Sequence, residues 1–338
     1  MAINLLDIKP HCVSRDLSGY ITYIYGAPKT GKTTLATQMG KSLLIAFERG
    51  YNALPGVMAQ DVTSWSEFRQ VYRELKKPEV KATFDAVIVD TVDIAADMCQ
   101  KYTCNKLGIE ALGELGYGKG WTAFKDEFND VFRGLTQLGY AVFFIGHHKE
   151  VQETLPDGTT RTIIRPALSN STRGVIEGMA DLYGYAHQKA GADMSVITMR
   201  HVDDSISCGG RFKYIKEEFP MTYDNLVNEM RKAIDREAEE HGGKFVTDEK
   251  NQIAAPAIEL DYDALMKEFT EIICNIPGSA DSSMETEEGK WFGSYWAPKI
   301  TDITERYLGK GKKVSNCTRQ QVEQLALIID ELKEIVKG

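Results

Sequence analysis

The amino-acid sequence predicts an α/β fold: a mostly parallel sheet covered by helices, followed by a small helical module at the C-terminal end. Three observations support this fold class. Short strands that are apolar on both faces alternate with helical segments, as in a parallel sheet buried between helices. A glycine-rich turn joins the first of these strands to a helix. Near the C-terminal end, apolar residues recur at helical spacing after a run of turn-forming residues.

The first part of the chain supplies three strands of the predicted sheet. Residues 20–25 form a buried strand, and residues 32–40 form the helix after the glycine-rich turn. Residues 42–47 form the second strand. Ser64 is placed to cap the next helix, and the wholly apolar residues 86–89 form the third strand. This order of elements predicts parallel strands joined by helices.

The next part of the chain continues the same pattern. A long helix is predicted over about 121–138, followed by a buried strand at 140–145. Two more strands are predicted at about 182–187 and 194–200. We therefore expect the α/β core to end near residue 230.

Composition divides the chain into three segments. Residues 1–230 form the α/β core, residues 231–297 an acidic, partly flexible connecting segment, and residues 298–338 a small helical module. Residues 231–290 hold seven Lys and Arg against fifteen Asp and Glu, and residues 277–283 are turn formers. Five apolar residues fall on one face of the last predicted helix: Val322, Leu325, Ile329, Leu332 and Val336.

The turn after the first strand fits the phosphate-binding pattern G-x-x-x-x-G-K-[ST] at every fixed position. Its glycines let backbone N–H groups point inward around phosphates, and the following helix adds the positive end of its dipole. We expect Lys32 to contact the β- and γ-phosphates and the Thr33 hydroxyl to ligate Mg²⁺. The sequence therefore predicts binding of ATP, or a closely related nucleoside triphosphate, with Mg²⁺. The predicted binding residues are Gly26, Ala27, Pro28, Lys29, Thr30, Gly31, Lys32, Thr33 and Thr34.

Carboxylates at strand ends are the candidates for metal binding and catalysis. Asp90 ends the third strand and is predicted to hold Mg²⁺ with Thr33, directly or through water; the alternative is a cap of the next turn. Hydrolysis also needs a group that orients the attacking water. Many ATPases have Glu directly after this aspartate, but this chain has Thr91. Glu48, at the end of the second strand, is therefore the first candidate base, and Asp93 is the second.

Two histidines end the strand at 140–145. A polar side chain at this position can sense the γ-phosphate and pass its state to the following loop. His147 is the candidate for this role. The alternative is that His147 and His148 are one buried and one exposed histidine without a role.

The bulk composition excludes several classes of protein. The net charge of −9 argues against a protein that coats duplex DNA by bulk electrostatics. No apolar run reaches about 18 residues, and the first fifteen residues lack the apolar stretch of a signal peptide, so we expect no membrane partner. The six cysteines form no C-x-x-C pair. We expect them to be reduced thiols in a cytoplasmic protein.

At these residues the chain resembles the RecA-like ATPases, in the short form encoded by bacteriophages and often classed as single-strand annealing or recombination ATPases. The resemblance covers about residues 18–230. It implies a RecA-like fold, with Glu48 as the catalytic glutamate and His147 as the γ-phosphate sensor. It also implies a phage protein in the cytoplasm of the bacterial host. The signposts are the P-loop at 26–34, Phe47-Glu48-Arg49-Gly50, Asp90-Thr91 and Phe143-Phe144-Ile145-Gly146-His147.

The resemblance further implies two loops that face single-stranded DNA. The first corresponds to residues 108–121 and the second to residues 149–173. Arginine can pair with phosphates and aromatic rings can stack on bases. The alternatives are solvated connections without a role, or DNA binding at the basic turn 310–313. The predicted DNA contacts are Lys119, Trp121, Arg161, Arg165 and Arg173.

The same resemblance implies that subunits complete each other's ATP sites. The family places basic residues after the last core strand, where they reach into a neighbouring subunit. Arg211 and Lys213 are the candidates, and we expect a homo-oligomer. The alternative is a basic hairpin that pairs with the acidic segment downstream.

Two departures from full-size RecA recombinases argue against true strand exchange and a long helical filament. Only about nineteen residues precede the first strand, so we expect no separate N-terminal oligomerisation domain. The sensor position holds His147 where the recombinases have Gln.

The leading interpretation is a DNA-stimulated ATPase that acts in phage DNA recombination, single-strand annealing or replication. A second is a nucleotide-switched binding or loader module with negligible hydrolysis, which would serve a partner such as an annealing or single-strand binding protein. A replicative helicase or its loader is close to the leading interpretation. A small-molecule kinase is a third class, but the Arg-rich lid of such enzymes has no clear match in the chain.

Overall fold

The computed structural model describes residues 8–155, 158–191, 193–200, 205–250, 260–281 and 283–337. Within these ranges the strands are β1 (Val13–Ser14), β2 (Ile21–Gly26), β3 (Ser42–Ala46), β4 (Met58–Asp61), β5 (Ala86–Asp90), β6 (Ala141–Thr154), β7 (Thr160–Pro166), β8 (Leu182–His187), β9 (Val196–Thr198), β10 (Gly209–Gly210), β11 (Glu218–Pro220) and β12 (Val246–Thr247). The helices are α1 (Lys32–Ala36), α2 (Trp65–Glu74), α3 (Pro78–Thr83), α4 (Val92–Leu107), α5 (Lys119–Thr136), α6 (Asn170–Met179), α7 (Tyr223–Glu240), α8 (Tyr262–Cys274), α9 (Glu287–Trp291), α10 (Ala297–Leu308) and α11 (Val322–Lys337).

The main sheet is built around β2, which runs parallel to β6 on one side and to β8 on the other. Beyond β6 come β5, β3 and β4, all parallel to their neighbours. Beyond β8 the strands β9 and β11 are antiparallel. The order along the sheet is therefore β11, β9, β8, β2, β6, β5, β3, β4. Because parallel strands end at the same edge, the carboxyl ends of β2, β3 and β5 lie together, beside Ile145 to His147 in the middle of β6.

Helices cover both faces of this sheet. On one face, α2, α4 and α5 bury aromatic side chains such as Trp65, Phe128 and Phe132. On the other face, α1 and α7 bury Leu35 and Leu226. The predicted fold class, a mostly parallel sheet covered by helices, is confirmed. Among the described residues, every helix is too short or too polar to span a bilayer.

The α/β core extends further along the chain than the predicted boundary at residue 230. The chain divides into two compact units, one of which is Lys9–Pro256. The core continues because α7 buries Met230 and Ile234 against the sheet. After α7, β12 pairs in parallel with β1. The boundary near residue 230 is therefore replaced by one near residue 256.

The second compact unit comprises Ala257–Gly338 together with Met1–Ile8. It includes α8 to α11, so the predicted segment 231–297 is divided between the two units rather than forming one connector. The predicted module at 298–338 begins too late, because α8 and α9 belong to the same unit. Three residues of the predicted apolar face of α11 are buried in the core of this unit, whereas Val336 of that face is exposed. The core also buries Ile328, which was not predicted; the three predicted residues are Leu325, Ile329 and Leu332.

The segment after the predicted strand at 140–145 is a β-hairpin instead of an open loop. β6 continues through His148 to Thr154, and this second half pairs antiparallel with β7. Polar and apolar side chains alternate along these strands, and Val151 lies opposite Ile163. This alternation is typical of a hairpin with one covered face. Residues 156–157 of the predicted loop lie outside the described residues.

Candidate nucleotide-binding site

The turn between β2 and α1 has a backbone that only glycine allows at two positions. A Cβ atom at Gly26 would lie 2.0 Å from the carbonyl oxygen of Ala186 on the neighbouring strand β8. Gly31, directly before α1, has a φ of +94°. The Thr30 hydroxyl donates to the carbonyl of Ala27 at 3.0 Å and closes the turn. The sequence therefore forms a compact loop of the kind that surrounds a phosphate group.

Lys32 lies beneath this loop with only 6% of its surface exposed. Its ammonium group donates to the carbonyls of Gly26 at 3.2 Å and Ala27 at 2.7 Å. Burial lowers the pKa of Lys32, while the nearby carboxylates of Asp90 and Glu48 act in the opposite direction. A buried cation whose hydrogen bonds go to neutral carbonyls is suited to exchange them for phosphate oxygens.

Thr33 and Asp90 meet at the carboxyl end of β5. The Thr33 hydroxyl donates to Asp90 Oδ2 at 2.7 Å. Asp90 is 1% exposed, and its other oxygen, Oδ1, has no hydrogen-bond partner among the described residues. Burial raises the pKa of Asp90 to about 6, and the bond from Thr33 opposes this shift. A buried carboxylate oxygen without a donor, beside a hydroxyl, fits a divalent cation such as Mg²⁺.

Gly50 leaves open the space between these groups and Glu48. A Cβ atom at Gly50 would lie 3.6 Å from Thr33 Oγ1 and 3.8 Å from both Asp90 Oδ2 and Glu48 Oε1. Any side chain at this position would therefore occupy the volume that three oxygen atoms surround. This observation also supports the fit of a hydrated cation to the site.

A chain of contacts joins Asp93 to His147 and His147 to Glu48, between the end of β3 and the middle of β6. The backbone N–H of His147 donates to Asp93 Oδ1 at 3.0 Å, and its ring Nδ1 lies 2.8 Å from Asp93 Oδ2. The other ring nitrogen, Nε2, lies 3.7 Å from Glu48 Oε1. Asp93 thus fixes the orientation of the imidazole ring, which in turn faces Glu48.

The pKa shifts of Asp93 and His147 agree with this arrangement. Burial raises the pKa of Asp93, but the hydrogen bonds from the ring and backbone of His147 outweigh it, so the net shift is downward. The pKa of His147 is raised, first by the hydrogen bond to Asp93. Because Asp93 is committed to His147, the geometry favours Glu48 over Asp93 as the base.

Lys32, Thr33, Glu48, Asp90 and His147 line one cavity of about 480 Å³. Four further lining residues, at positions 49, 50, 53 and 54, are not among the predicted site residues, although Arg49 and Gly50 belong to a motif of the resemblance. Only their position in the sequence, shortly after Glu48 at the end of β3, could have predicted that they line the cavity. Arg49 is 75% exposed and lies 3.5 Å from Asp61. The lining residues are Pro28, Lys29, Gly31, Lys32, Thr33, Thr34, Glu48, Arg49, Gly50, Ala53, Leu54, Asp90 and His147.

The two candidates for a residue acting on a neighbouring subunit lie outside this cavity. The Arg211 guanidinium pairs with Asp181 at 2.9 Å. The Lys213 ammonium pairs with Glu240 at 3.0 Å, near the end of α7. Both side chains remain more than half exposed. The pairing of Lys213 with the acidic residue downstream corresponds to the alternative interpretation of this segment.

The candidate DNA contacts lie on two other parts of the larger unit. Lys119 and Trp121 belong to the first turn of α5, and Trp121 is 47% exposed. The remaining three are on β7 and α6 and carry acidic neighbours. Glu153 on β6 accepts from Arg161 at 2.7 Å and lies 3.8 Å from Arg165. Arg173 lies 3.8 Å from Glu177, one turn further along α6.

The fold and the site define a P-loop nucleoside triphosphatase: a parallel sheet, a lysine-bearing glycine loop after its central strand, and a buried aspartate at the end of a nearby strand. More specifically, the chain belongs to the AAA domain family, whose model matches residues 18–211. The match contains the P-loop, Glu48, Asp90 and His147, so the family assignment rests on the part of the chain that builds the site.

The proteins similar to this chain include one from a bacterium and one from an archaeon. The SPbeta prophage-derived uncharacterized protein YorG of Bacillus subtilis (strain 168) is 31% identical over 350 aligned positions, covering 99% of both chains. The crystal structure of flagellar accessory protein FlaH from Methanocaldococcus jannaschii covers 53% of this chain and 76% of its own, at 10% identity and a TM-score of 0.27. A likeness of that size carries no information about function.

Proposed function

We propose that this chain is an Mg²⁺-dependent ATPase stimulated by single-stranded DNA, acting in phage DNA recombination, single-strand annealing or replication. The observation that carries the proposal is the continuity of β6. The first half of this strand lies beside β2 and brings His147 to the nucleotide cavity. The second half forms the hairpin with β7, which carries Arg161 and Arg165. A single strand therefore joins the nucleotide site to a surface with phosphate-binding side chains.

The residues of the cavity divide the work of hydrolysis between them. Thr33 and Asp90 would hold Mg²⁺, which would supply positive charge against the phosphates. Lys32 exchanges its carbonyl partners for β- and γ-phosphate oxygens. Glu48 accepts a proton from the attacking water, and the Nε2 atom of His147 lies 3.7 Å from the Glu48 carboxylate, on the same side of the cavity.

Binding of DNA requires the arginines of the hairpin to exchange partners. Arg161 and Arg165 share Glu153, and a phosphate backbone offers both of them charge-assisted hydrogen bonds in its place. Trp121 adds an exposed aromatic face for stacking on a base. Release of Glu153 is then the local change that accompanies binding of single-stranded DNA.

The phage setting is supported by the relative in the SPbeta prophage, whose alignment covers nearly the whole of both chains. A homo-oligomer is part of the proposal, because Arg211 and Lys213 are exposed cations outside their own subunit's cavity. A single-strand binding or annealing protein is the proposed partner.

The decisive experiment measures ATP turnover with and without added DNA. We expect a low basal rate, a severalfold increase with single-stranded oligonucleotides and a smaller one with duplex DNA. The molecular mass in solution, measured with ATP and DNA present, tests the oligomer. Turnover that is insensitive to DNA at every concentration would remove DNA stimulation from the proposal.

The second candidate function is a nucleotide-switched binding module with negligible hydrolysis. One observation favours it: Glu48 lies 3.7 Å from a histidine whose pKa is raised. A protonated His147 would pair with the Glu48 carboxylate and compete for it with the attacking water. Tight ATP binding without measurable turnover, in the presence of DNA, would support this function over the first.

A further inference from the structure

An apolar groove lies within the smaller unit, between α8, the start of α10 and the turn after α10. Its volume is about 490 Å³. Phe269 and Ile273 of α8 form one wall, one helical turn apart. Phe292 and Ile300 form the other wall, from the π-helical turn Phe292–Trp296 and from α10. The groove is therefore apolar over most of its depth.

The helix that forms the first wall is incompletely covered. None of the residues of α8 is buried, although its apolar residues contact the core of the unit. Phe269 and Ile273 are among these half-buried side chains. An amphipathic helix normally buries its apolar face, and an apolar face that stays open is typical of an interaction site.

The rim of the groove is positively charged. Lys312 and Lys313 lie on it, and neither forms a salt bridge within the part of the chain that the structure describes. The acidic residue on the rim, Glu305, already accepts the backbone N–H of Gly311 at 2.8 Å. The surroundings are negative, since residues 260–338 hold ten Lys and Arg against fourteen Asp and Glu, a net charge of −4. The two lysines are thus a local cationic feature placed against an apolar groove.

We propose that this groove binds a short acidic peptide segment of a partner protein. The apolar side chains of the peptide enter between Phe269 and Ile300, and its carboxylates pair with Lys312 and Lys313. A peptide fits better than a nucleic acid because the concave floor accepts separate side chains, whereas bases stack on flat exposed rings. This docking site does not depend on ATP turnover.

The test uses the full-length protein and a fluorescein-labelled peptide in which aspartates precede two leucines and a phenylalanine. We expect fluorescence anisotropy to show micromolar binding that weakens as salt is added. Two control peptides separate the contributions: one replaces Leu and Phe with Ser, and the other replaces Asp with Lys. Both should bind at least about tenfold more weakly, because each lacks one half of the complementarity.

Variants of the protein locate the site. Lys312→Glu with Lys313→Glu should weaken peptide binding at least about tenfold, whereas Lys267→Glu, on the exposed side of α8, should leave it unchanged. Thr301→Trp, at the exposed rim, should fill the groove and block the peptide while the melting temperature stays within a few degrees.

Three outcomes would overturn the proposal. The first is no binding of the acidic peptide by the wild-type protein at millimolar concentration. The second is binding that both Thr301→Trp and the Lys312 and Lys313 reversals leave unchanged. The third is a single-stranded oligonucleotide that binds more tightly than the peptide and loses its affinity in the Lys312 and Lys313 variant, which would make the rim a nucleic-acid site.

Discussion

At the scale of single residues, Lys32 is the side chain on which nucleotide binding depends most directly. Replacing it with Ala removes a buried cation that no neighbouring residue can supply. Charge-assisted hydrogen bonds contribute about 1.5–3 kcal/mol each, so we expect ATP affinity to fall at least about hundredfold. Equilibrium binding of a fluorescent ATP analogue measures the loss, and thermal unfolding checks that Lys32→Ala still folds. Wild-type affinity in a folded variant would contradict the assignment of the P-loop.

We expect replacement of Glu48 to reduce the rate of ATP hydrolysis more than replacement of Asp93. Glu48→Gln should keep ATP affinity and reduce turnover by about 10²–10⁴, because it removes a base but no phosphate contact. Asp93→Asn should reduce turnover less and act through His147, whose ring loses its fixed orientation. Single-turnover rates, measured with saturating ATP, compare the two variants. If Asp93→Asn shows the larger loss and Glu48→Gln the smaller, Asp93 is the base.

The contact between His147 and Asp93 predicts how stability depends on pH. The pKa of His147 is raised from 6.5, so its share of the stabilisation is present below about pH 6.5 and is lost as pH rises through the raised value. The pKa of Asp93 is lowered from 3.8, so its share is present above about pH 3.8 and is lost as pH falls through the lowered value. The free energy of unfolding of the wild type should exceed that of Asp93→Asn most between about pH 4 and 6.5. Urea denaturation across pH measures this difference, and a constant difference from pH 4 to 9 would show that the pair is not ionised as described.

Sequence alone predicted the residues whose position depends on local spacing, and the structure brings them to one cavity. Their roles in binding and hydrolysis stay predictions. The P-loop follows from a fixed pattern, and Asp90, Glu48 and His147 follow from the rule that parallel strands end at one edge of a sheet. The hydrogen bonds between Asp93 and His147 were not foreseen, because these residues are 54 positions apart and no pattern links them. Such a contact depends on the exact packing of α4 against β6.

At the scale of elements, the hairpin of β6 and β7 and the helix α6 carry the predicted DNA contacts. Replacing Arg161, Arg165 and Arg173 with Ala should weaken binding of single-stranded DNA. The slope of log affinity against log salt should become shallower by about 2. Each phosphate contact on a single strand releases about 0.7 counterion when it forms, and the variant lacks three such contacts. Anisotropy of a labelled oligonucleotide at several salt concentrations measures both effects.

The smaller unit supplies the control for this prediction. A triple replacement of Lys267, Lys299 and Arg319 with Ala removes the same charge and should leave the slope unchanged. Truncation after residue 256, at the boundary between the two compact units, should also keep ATP-dependent DNA binding. A truncated protein that no longer binds DNA, together with a hairpin variant that still does, would place the DNA site on the smaller unit.

The strands of the core could be predicted from sequence because most of them are apolar on both faces. This pattern is recognisable even where the predicted ends of the helices are wrong by a few residues. The hairpin was missed because its second strand lies on the surface, where residues 160–166 mix arginine, threonine and isoleucine. Alternation of this kind is also compatible with a loop, and only the pairing with β6 decides between them. The boundary near residue 256 was missed for a related reason, since α7 is acidic on its outer face although its inner face belongs to the core.

At the scale of the whole molecule, the predicted oligomer can be tested by mixing defective subunits. Lys213→Ala should lower turnover without lowering the stability of the monomer, because the exposed side chain is proposed to act on a neighbouring subunit. Mixing it with Lys32→Ala protein should restore part of the activity, since each variant supplies what the other lacks. Steady-state ATPase assays at several mixing ratios, with DNA present, measure the rescue.

The partner of Lys213 provides a matched control. Glu240→Ala breaks the same ion pair but leaves the lysine in place, so turnover should remain at or above the wild-type level. An equal loss in Lys213→Ala and Glu240→Ala would mean that the ion pair serves only the fold. The absence of rescue at every ratio, with a monomeric mass in ATP and DNA, would also argue against a shared site.

The continuity of strand β6 limits how the region around the nucleotide cavity can move. Its fourteen residues extend over about 45 Å, and its first half is hydrogen-bonded on both sides, to β2 and to β5. This half cannot slide by one residue without turning the buried Phe143 and Ile145 to the opposite face of the sheet. Motion that begins at the nucleotide must therefore bend or twist the strand near Gly146 to His148, where its hydrogen-bonding partners change. A bend at that position would displace the far pair of the hairpin, Thr154 and Thr160, further than His147.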